Sequence, residues 1–573
     1  MLARIRLPMP FDSRWHNATQ LKNDFFAPVR FIRAPLRRSL SWFGTSRFLF
    51  GIALLVVTSG QVSLAQLPPA SSQGVPSLLP TLGDDLELTA GAERRMGDRI
   101  AASIYRDPDY IDDPVLSDYL QAIWQPLLAA ARARGELSAE LDERFSWDVF
   151  LIRDRSINAF ALPGGYFGVH LGLIGAVNTR DELAAVLGHE LSHVTQRHIS
   201  RLITQQARVT PLVIGAMILG ALAASKSPSA ANAAIVGGQA VAAQSQLNFS
   251  RDMEREADRV GFGVMTDAGF DSRGIGSMFE KLQQAARLND SGAFPYLRSH
   301  PLNTERMAEV QARLQLAARS SPGVTARGIS ADANARELQT MMAARARVLA
   351  DPGVDALRAM LDQAQRQARL TSPQKSSPTG SDARGAGVLY AGALAAAKMR
   401  DFTVATSLAE KLKGLHIGHA AEAQVVDWLM LEIELLANKV PPGASPIKLS
   451  QTMQRAELLL QAQAMLAAGQ TADVSARLQT WVTEHPKDAT VWQLLASAYG
   501  KQGQVVRAIR SEAEGRAAQL DYSAALDRLR AAQTLMRSSP GNADFIEGSI
   551  IDTRSRQLEV LLREQALQDK LDR

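Results

Sequence analysis

The stretch His189-Glu190-Leu191-Ser192-His193 limits what this 573-residue chain can fold into more than any other feature. Histidines four residues apart lie on one helix face about one turn from each other, so both imidazoles can hold one metal ion while Glu190 lies beside it. Upstream, Thr179-Arg-Asp-Glu182 matches a capping box and predicts a helix from Arg180 to about Leu202. The fold must therefore include a helix that presents this motif to a metal.

The chain has no cysteine, which excludes disulfides, thiolate nucleophiles and Cys-ligated zinc. A catalytic zinc needs three protein ligands and an open position for water, so a third His, Asp or Glu ligand is required. A helix predicted over Ser250–Ala268 places Glu254 and Asp258 four residues apart on one face. We predict that Glu254 is the third ligand and that Asp258 accepts the free N–H of a ligand histidine. The alternative for both acids is a solvated face that forms salt bridges.

Two further residues are candidates for the active site. His300 precedes Pro301, which holds it in a defined turn, and it is a candidate fourth metal ligand or a donor to the tetrahedral intermediate. Arg306 follows on a predicted helix and is a second catalytic candidate. The alternative for His300 is a structural turn histidine. His198 lies roughly opposite His189 on the helical wheel, so we expect it to be exposed.

Residues 1–65 have the three-part plan of a secretory signal peptide. Their apolar run, Phe48–Val57, is well short of the ~20 residues that cross a bilayer, so cleavage after Ala65 is favoured over an uncleaved anchor. Residues 1–65 contain nine Lys and Arg residues but only two Asp residues. The net charge of the whole chain is +5, so the residues after Ala65 have a net charge of −2. The sequence therefore predicts export to the periplasm and argues against nucleic-acid binding.

Two parts of the exported chain have less regular patterns. Asn158–His170 is typical of a β-hairpin around a Pro-Gly-Gly turn, and Trp147–Ile152 is typical of a short strand. The apolar runs within 211–243 are each shorter than a membrane-spanning helix. A buried or interfacial helical hairpin is therefore favoured there over a transmembrane one.

The C-terminal third carries a repeat pattern. Trp492, Leu495, Ala496, Tyr499 and Ala508 follow the order of large and small residues of a tetratricopeptide repeat, whose unit is ~34 residues. Weaker copies begin near Tyr390 and Tyr522. We predict a helical solenoid in which each repeat buries its apolar face against its neighbours. The alternative is a bundle of ordinary amphipathic helices.

In four of its segments the chain resembles the M48 family of zinc metallopeptidases, in particular the periplasmic members with C-terminal repeats. These segments are NAFALPGGY, HELSHVTQRH, SRDMEREAD and HPLNTER. The resemblance implies one zinc per chain on His189, His193 and Glu254, with Glu190 as general base. It also implies that His300 can close the site and hold the enzyme latent. The implied clients are unfolded or stalled outer-membrane β-barrel proteins, and the implied partner is the barrel-assembly machinery. Peripheral association with the outer membrane is a further expectation.

The expected fold is mainly α, with a zincin-like metalloprotease domain that contains a small β-sheet and is followed by an all-α tetratricopeptide solenoid. The predicted segments are a signal peptide at 1–65, a linker at 66–85, a metalloprotease domain at 86–319, a linker with connecting helices at 320–387 and a repeat domain at 388–573.

The expected activity is hydrolysis of peptide bonds, accompanied by chaperone activity, with the extended segment Asn158–His170 pairing with a substrate strand. One alternative is a chaperone or adaptor that acts through its repeats and has a latent zinc site. A second alternative is an integral membrane protease anchored by residues 211–243.

Overall fold

The structure is a computed structural model. It describes residues 88–205, 250–287, 295–320, 327–351, 353–370, 381–415, 420–439, 454–538 and 544–571. The predicted signal peptide, the 66–85 linker and the 211–243 segment lie outside the described residues. Within the described ranges, no helix combines the length and the apolar character that crossing a membrane requires.

Short apolar runs separated by turn residues form a small sheet. Its strands are β1 (Tyr110–Ile111), β2 (Asp148–Ile152), β3 (Ala159–Leu162) and β4 (Tyr166–His170), arranged in the order β1-β2-β4-β3. β2 and β4 are parallel, whereas β3 and β4 form an antiparallel hairpin. Gly164 and Gly165 turn the hairpin at φ values of +74° and +77°, which favour glycine. The predicted hairpin is confirmed, and β3 lies at one edge of this sheet.

The part of the described chain that contains the sheet, up to Ser320, also contains helices. They are α1 (Ala90–Tyr105), α2 (Pro114–Ala133), α3 (Ala139–Arg144), α4 (Leu171–Ala176), α5 (Arg180–Thr195), α6 (His198–Gln205), α7 (Arg251–Asp267), α8 (Arg273–Arg287), α9 (Tyr296–Ser299) and α10 (Thr304–Ser320). Side-chain oxygens of Thr89, Asp113 and Ser250 cap the first turns of α1, α2 and α7. These caps explain why each helix begins where it does.

The helix that carries the motif ends earlier than predicted. Its start is as expected, because the Thr179 hydroxyl accepts from the Glu182 N–H. Its end is not at about Leu202, because the chain leaves the helix after Thr195 and Arg197 adopts a left-handed φ of +54°. A separate helix, α6, then starts at His198. The side chains of α6 therefore do not continue the helical faces of α5.

The rest of the described chain is helical. Its helices are α11 (Arg327–Ala350), α12 (Val354–Leu370), α13 (Ser381–Lys398), α14 (Phe402–Lys413), α15 (Ala420–Leu436), α16 (Arg455–Ala467), α17 (Thr471–Glu484), α18 (Ala489–Lys501), α19 (Val505–Ala518), α20 (Tyr522–Ser538) and α21 (Phe545–Leu571). From α16 onward each helix packs on the next one in sequence, and Trp492, Leu495 and Tyr499 are buried between them. The mainly α fold with a small sheet is confirmed. The assignment of the repeats as a tetratricopeptide solenoid stays a prediction.

The helical region packs tightly against the part of the chain that contains the sheet. One apolar cluster runs from α2, α5 and β4 into α11, α13 and α16. Buried Arg345 of α11 joins Asp113, the cap of α2, to Glu432 of α15, with N–O distances of 2.6 and 2.7 Å. The predicted limits at 319 and 388 stay predictions, and the core is continuous across them.

Candidate metal centre

Helix α5 places the motif in the interior of the protein. Every residue from Glu182 to Thr195 is buried. Gly188 lies against Gly261 of α7, where an added Cβ would come within 3.0 Å of the Gly188 backbone. The two glycines let α5 and α7 approach closely, and this brings Glu254 and Asp258 to the histidine face of α5.

Four buried side chains converge, and their ligand atoms lie within 4.8 Å of one another: His189, His193, Glu254 and His300. The two motif histidines approach with their Nε2 atoms 3.0 Å apart, and the Glu254 carboxylate is 3.5 Å from His189 Nε2. Nδ1 of His300 lies 2.9 Å from Glu254 and 3.3 Å from His189 Nε2. Ligands of a tetrahedral zinc with bonds of about 2.0 Å lie roughly 3.3 Å apart. The spacing and the nitrogen and oxygen donors therefore fit zinc.

Asp258 lies behind the first motif histidine. Its carboxylate is 3.0 Å from His189 Nδ1, on the side away from the other ligands. Arg306 of α10 donates two hydrogen bonds to the same carboxylate, at 2.6 and 2.8 Å, and also lies 2.7 Å from Glu254. The guanidinium thus contacts both carboxylates, and Asp258 lies where it can accept the Nδ1–H of His189, the role predicted for it. Arg306 contacts the ligand cluster directly at Glu254, whereas it reaches His189 only through Asp258.

His300 contacts the ligands and the general-base candidate with one ring. Its Nδ1 faces Glu254, and its Nε2 is 3.4 Å from a carboxylate oxygen of Glu190. The ring stacks on Tyr296, with centroids 4.7 Å apart. Burial raises the pKa of Glu190 above its ordinary value, against the opposing effect of His300. In this conformation the imidazole takes a ligand position and covers Glu190.

The ionisation of two of the ligands, Glu254 and His193, suits a cation. Burial alone raises the pKa of Glu254, but the His300 and His189 side chains outweigh it and hold this pKa well below its ordinary value. Burial and the neighbouring His189 charge hold the pKa of His193 well below its ordinary value. Glu254 and His193 are therefore in the forms that bind a metal ion. Burial lowers the pKa of His189, but its hydrogen bonds to Asp258 and Glu254 outweigh burial and raise this pKa to about 10, so His189 must lose a proton when a metal binds.

The predicted exposure of His198 is wrong. The residue is buried, because the turn at Arg197 brings its ring back onto the second motif histidine. Its Nδ1 is 2.9 Å from Nδ1 of His193, and its Nε2 is 2.9 Å from Glu256 of α7. A helical wheel could not reveal this contact, since it assumes an unbroken helix.

Residues 117–314 match the model of peptidase family M48. This span includes all of the predicted ligands and Glu190. The chain carries an M48 peptidase domain. In this M48 domain the ligand candidates come from α5, from α7 and from the turn after α9, which are distant in sequence.

Curated relatives match this chain over different lengths. The beta-barrel assembly-enhancing protease of Escherichia coli is 32% identical over 262 residues, which is 45% of this chain and 52% of the relative. A Vibrio cholerae relative is 36% identical over 247 residues, 43% of this chain and 49% of its own length. The chain thus spans about half the length of these curated relatives. The beta-barrel assembly-enhancing protease of Yersinia pestis is 27% identical over 445 residues, 76% of this chain and 83% of the relative.

Sequence reasoning missed Tyr296 and the pair His198–Glu256. The signal for Tyr296 was its spacing of four from His300, which places both residues on one side of a single helical turn. Neither His198 nor Glu256 had such a signal, because their contact depends on the break after Thr195.

Proposed function

We propose that this protein is a zinc-dependent endopeptidase of the periplasm that serves the assembly and quality control of outer-membrane β-barrel proteins. The observation that carries the proposal is the buried convergence of His189, His193 and Glu254 with Glu190 beside them. Two histidines one turn apart and a carboxylate from a second helix form the protein half of a catalytic zinc site. One zinc ion per chain would be held by these three residues.

Glu190 is the proposed proton carrier. A bound zinc supplies a Lewis acid that activates water and polarises the peptide carbonyl. Glu190 takes the proton of the attacking water and returns it to the leaving amine. Burial raises the pKa of Glu190, which brings this carboxyl closer to the range where it both accepts and donates a proton near neutral pH.

The edge of the sheet offers a place for the substrate. In the described residues β3 pairs on one side only, with β4, and it packs against α5. An extended peptide that adds to β3 by backbone hydrogen bonds would run beside the ligand cluster. Such binding requires little side-chain preference, which suits an enzyme that meets unfolded β-rich clients.

The proposed clients and location rest on two arguments. The E. coli and Y. pestis relatives are named beta-barrel assembly-enhancing proteases, which supports β-barrel clients and the barrel-assembly machinery as a partner. The signal-peptide pattern of residues 1–65 supports the periplasm, with peripheral association at the outer membrane.

A chaperone or adaptor is the second candidate, and the position of His300 favours it. The buried ring lies 2.9 Å from Glu254 and 3.4 Å from Glu190, so it occupies the position that substrate or water would take. We propose that this conformation is the latent state of the protease. A protein that stayed in it would act only through its helical surface.

A comparison of wild type with Glu190→Gln tests the two candidates. The protease proposal expects about one zinc per chain in both proteins and chelator-sensitive cleavage of unfolded β-barrel protein by wild type alone. A wild type that binds no zinc rejects the proposal. If Glu190→Gln fully supports barrel assembly while wild type degrades no client, the adaptor is the main function. Extraction by carbonate or salt after leader cleavage argues against a membrane-anchored protease.

A further inference from the structure

The second motif histidine has two ring nitrogens with different surroundings. Nε2 of His193 faces the ligand cluster, 3.0 Å from His189 Nε2 and 3.6 Å from Glu254. Nδ1 points the other way and lies 2.9 Å from Nδ1 of His198. A metal-binding histidine is usually held by a partner on the nitrogen that does not face the metal. His198 is in this partner position for His193, as Asp258 is for His189.

The protonation of this contact has one consistent solution. Nε2 of His193 needs its lone pair for a metal, so its proton is on Nδ1 and is donated to Nδ1 of His198. His198 then carries its own proton on Nε2, which lies 2.9 Å from Glu256, a group that accepts only. The opposite direction would place the His198 lone pair against the carboxylate. The two hydrogen bonds therefore support each other.

Neighbouring residues hold the hydrogen-bonded chain His193–His198–Glu256, called the relay below, in place. Arg201 of α6 lies 2.9 Å from the same oxygen of Glu256 and holds the carboxylate from outside. The turn that delivers His198 is fixed by Arg197, which bonds to buried Glu93 and to Ser200, each at 3.1 Å. A left-handed residue between two helices is stable only where such contacts compensate for it.

We infer that His198 and Glu256 are positioning residues for the metal ligand His193, linked in the order His193–His198–Glu256. They set the tautomer and ring orientation of His193 and do not contact the metal or the substrate. The inference rests on the proposed zinc site and extends it, because the two motif histidines are held differently. A carboxylate holds His189 directly, whereas a second imidazole stands between His193 and its carboxylate.

Zinc affinity of the full-length protein, measured by competition with a chromophoric chelator, tests the relay. His198→Leu removes both hydrogen bonds at similar volume and is expected to weaken zinc binding by about 10- to 100-fold. His198→Gln keeps an acceptor for His193 and a donor for Glu256, so its affinity is expected to stay within about threefold of wild type. Melting in EDTA reports whether each variant is folded.

Glu256→Ala provides a test that leaves the buried ring in place. It is expected to weaken zinc binding by about 10-fold, because His198 loses the acceptor that fixes its tautomer. The matched control is Asp252→Ala on the same helix, whose carboxylate is 80% exposed, and it is expected to bind zinc like wild type.

The outcomes separate the relay from the zinc site itself. Wild-type protein that binds no zinc overturns both proposals. If wild type binds zinc and the zinc affinity of His198→Leu is within about twofold of wild type, only the relay is overturned. The relay is also overturned if His198→Gln binds zinc as weakly as His198→Leu, because the loss would then come from packing and not from the hydrogen bonds. If His198→Leu is unfolded in EDTA, Glu256→Ala decides, and an affinity equal to that of Asp252→Ala rejects the relay.

Discussion

Replacing Asp258 by asparagine should weaken the metal site without changing its shape. The carboxylate lies 3.0 Å from His189 Nδ1 and accepts from Arg306 at 2.6 and 2.8 Å. Asparagine has a single acceptor oxygen, so its NH₂ group must face one of these donors. Loss of an outer partner of a ligand histidine costs about 10- to 100-fold in metal affinity, or about 1.4–2.8 kcal/mol.

The same substitution should also destabilise the protein in EDTA. Breaking a buried ion pair costs about 3–5 kcal/mol. Because Arg306 keeps Glu254 as a partner at 2.7 Å, we expect a loss near the lower limit. Chelator competition measures the affinity, and urea unfolding in EDTA measures the stability. Asp252→Asn, on the same helix but exposed, is the control. Zinc binding within twofold of wild type, together with an unchanged urea midpoint, would refute the orienting role of Asp258.

Three further substitutions have defined outcomes. His300→Ala should raise cleavage of an unfolded client about fivefold or more in a gel assay, because it removes the ring that lies 3.4 Å from Glu190. Arg345→Met should lower the free energy of unfolding by about 3–5 kcal/mol in urea titrations, because Asp113 loses its buried cation. Burial raises the pKa of Asp488, but hydrogen bonds from Arg455 outweigh it and lower the pKa below 3.8. Asp488→Asn should therefore be less stable than wild type at pH 7, and this gap should narrow as the pH falls below 3.8.

Each result has a control or a contradicting outcome. For His300→Ala the control is His485→Ala, a histidine that packs against Trp481 in the helical region, and unchanged or lost cleavage contradicts latency. If Arg345→Met is as stable as wild type, the buried ion pairs of Arg345 with Asp113 and Glu432 do not stabilise the packing of the helical region against α2. For Asp488→Asn, the direction of the pH dependence follows from the lowered pKa of Asp488. A carboxylate with a lowered pKa stabilises the folded protein above its ordinary pKa, and this stabilisation is lost in acid. A gap that widens in acid contradicts this assignment.

Local patterns were sufficient for much of the fold. The cap at Thr179 and the hairpin turn at Gly164 and Gly165 depend on the conformational preferences of a few neighbouring residues. The helix predicted over Ser250–Ala268 is observed as Arg251–Asp267 for the same reason. The end of α5 could not be predicted, because Arg197 takes its left-handed conformation only with Glu93 and Ser200, supplied from α1 and α6, around it.

The spacing of the site residues along each helix could be read directly from the amino-acid sequence. The distance from His189 to His193, and from Glu254 to Asp258, follows from helix periodicity alone. The tertiary structure decided which of these faces meet, through the contact of Gly188 with Gly261 and the turn that delivers His300. It also decided that His198 is buried behind His193. Helix geometry acts over a few residues, whereas convergence of distant segments depends on packing that no local pattern contains.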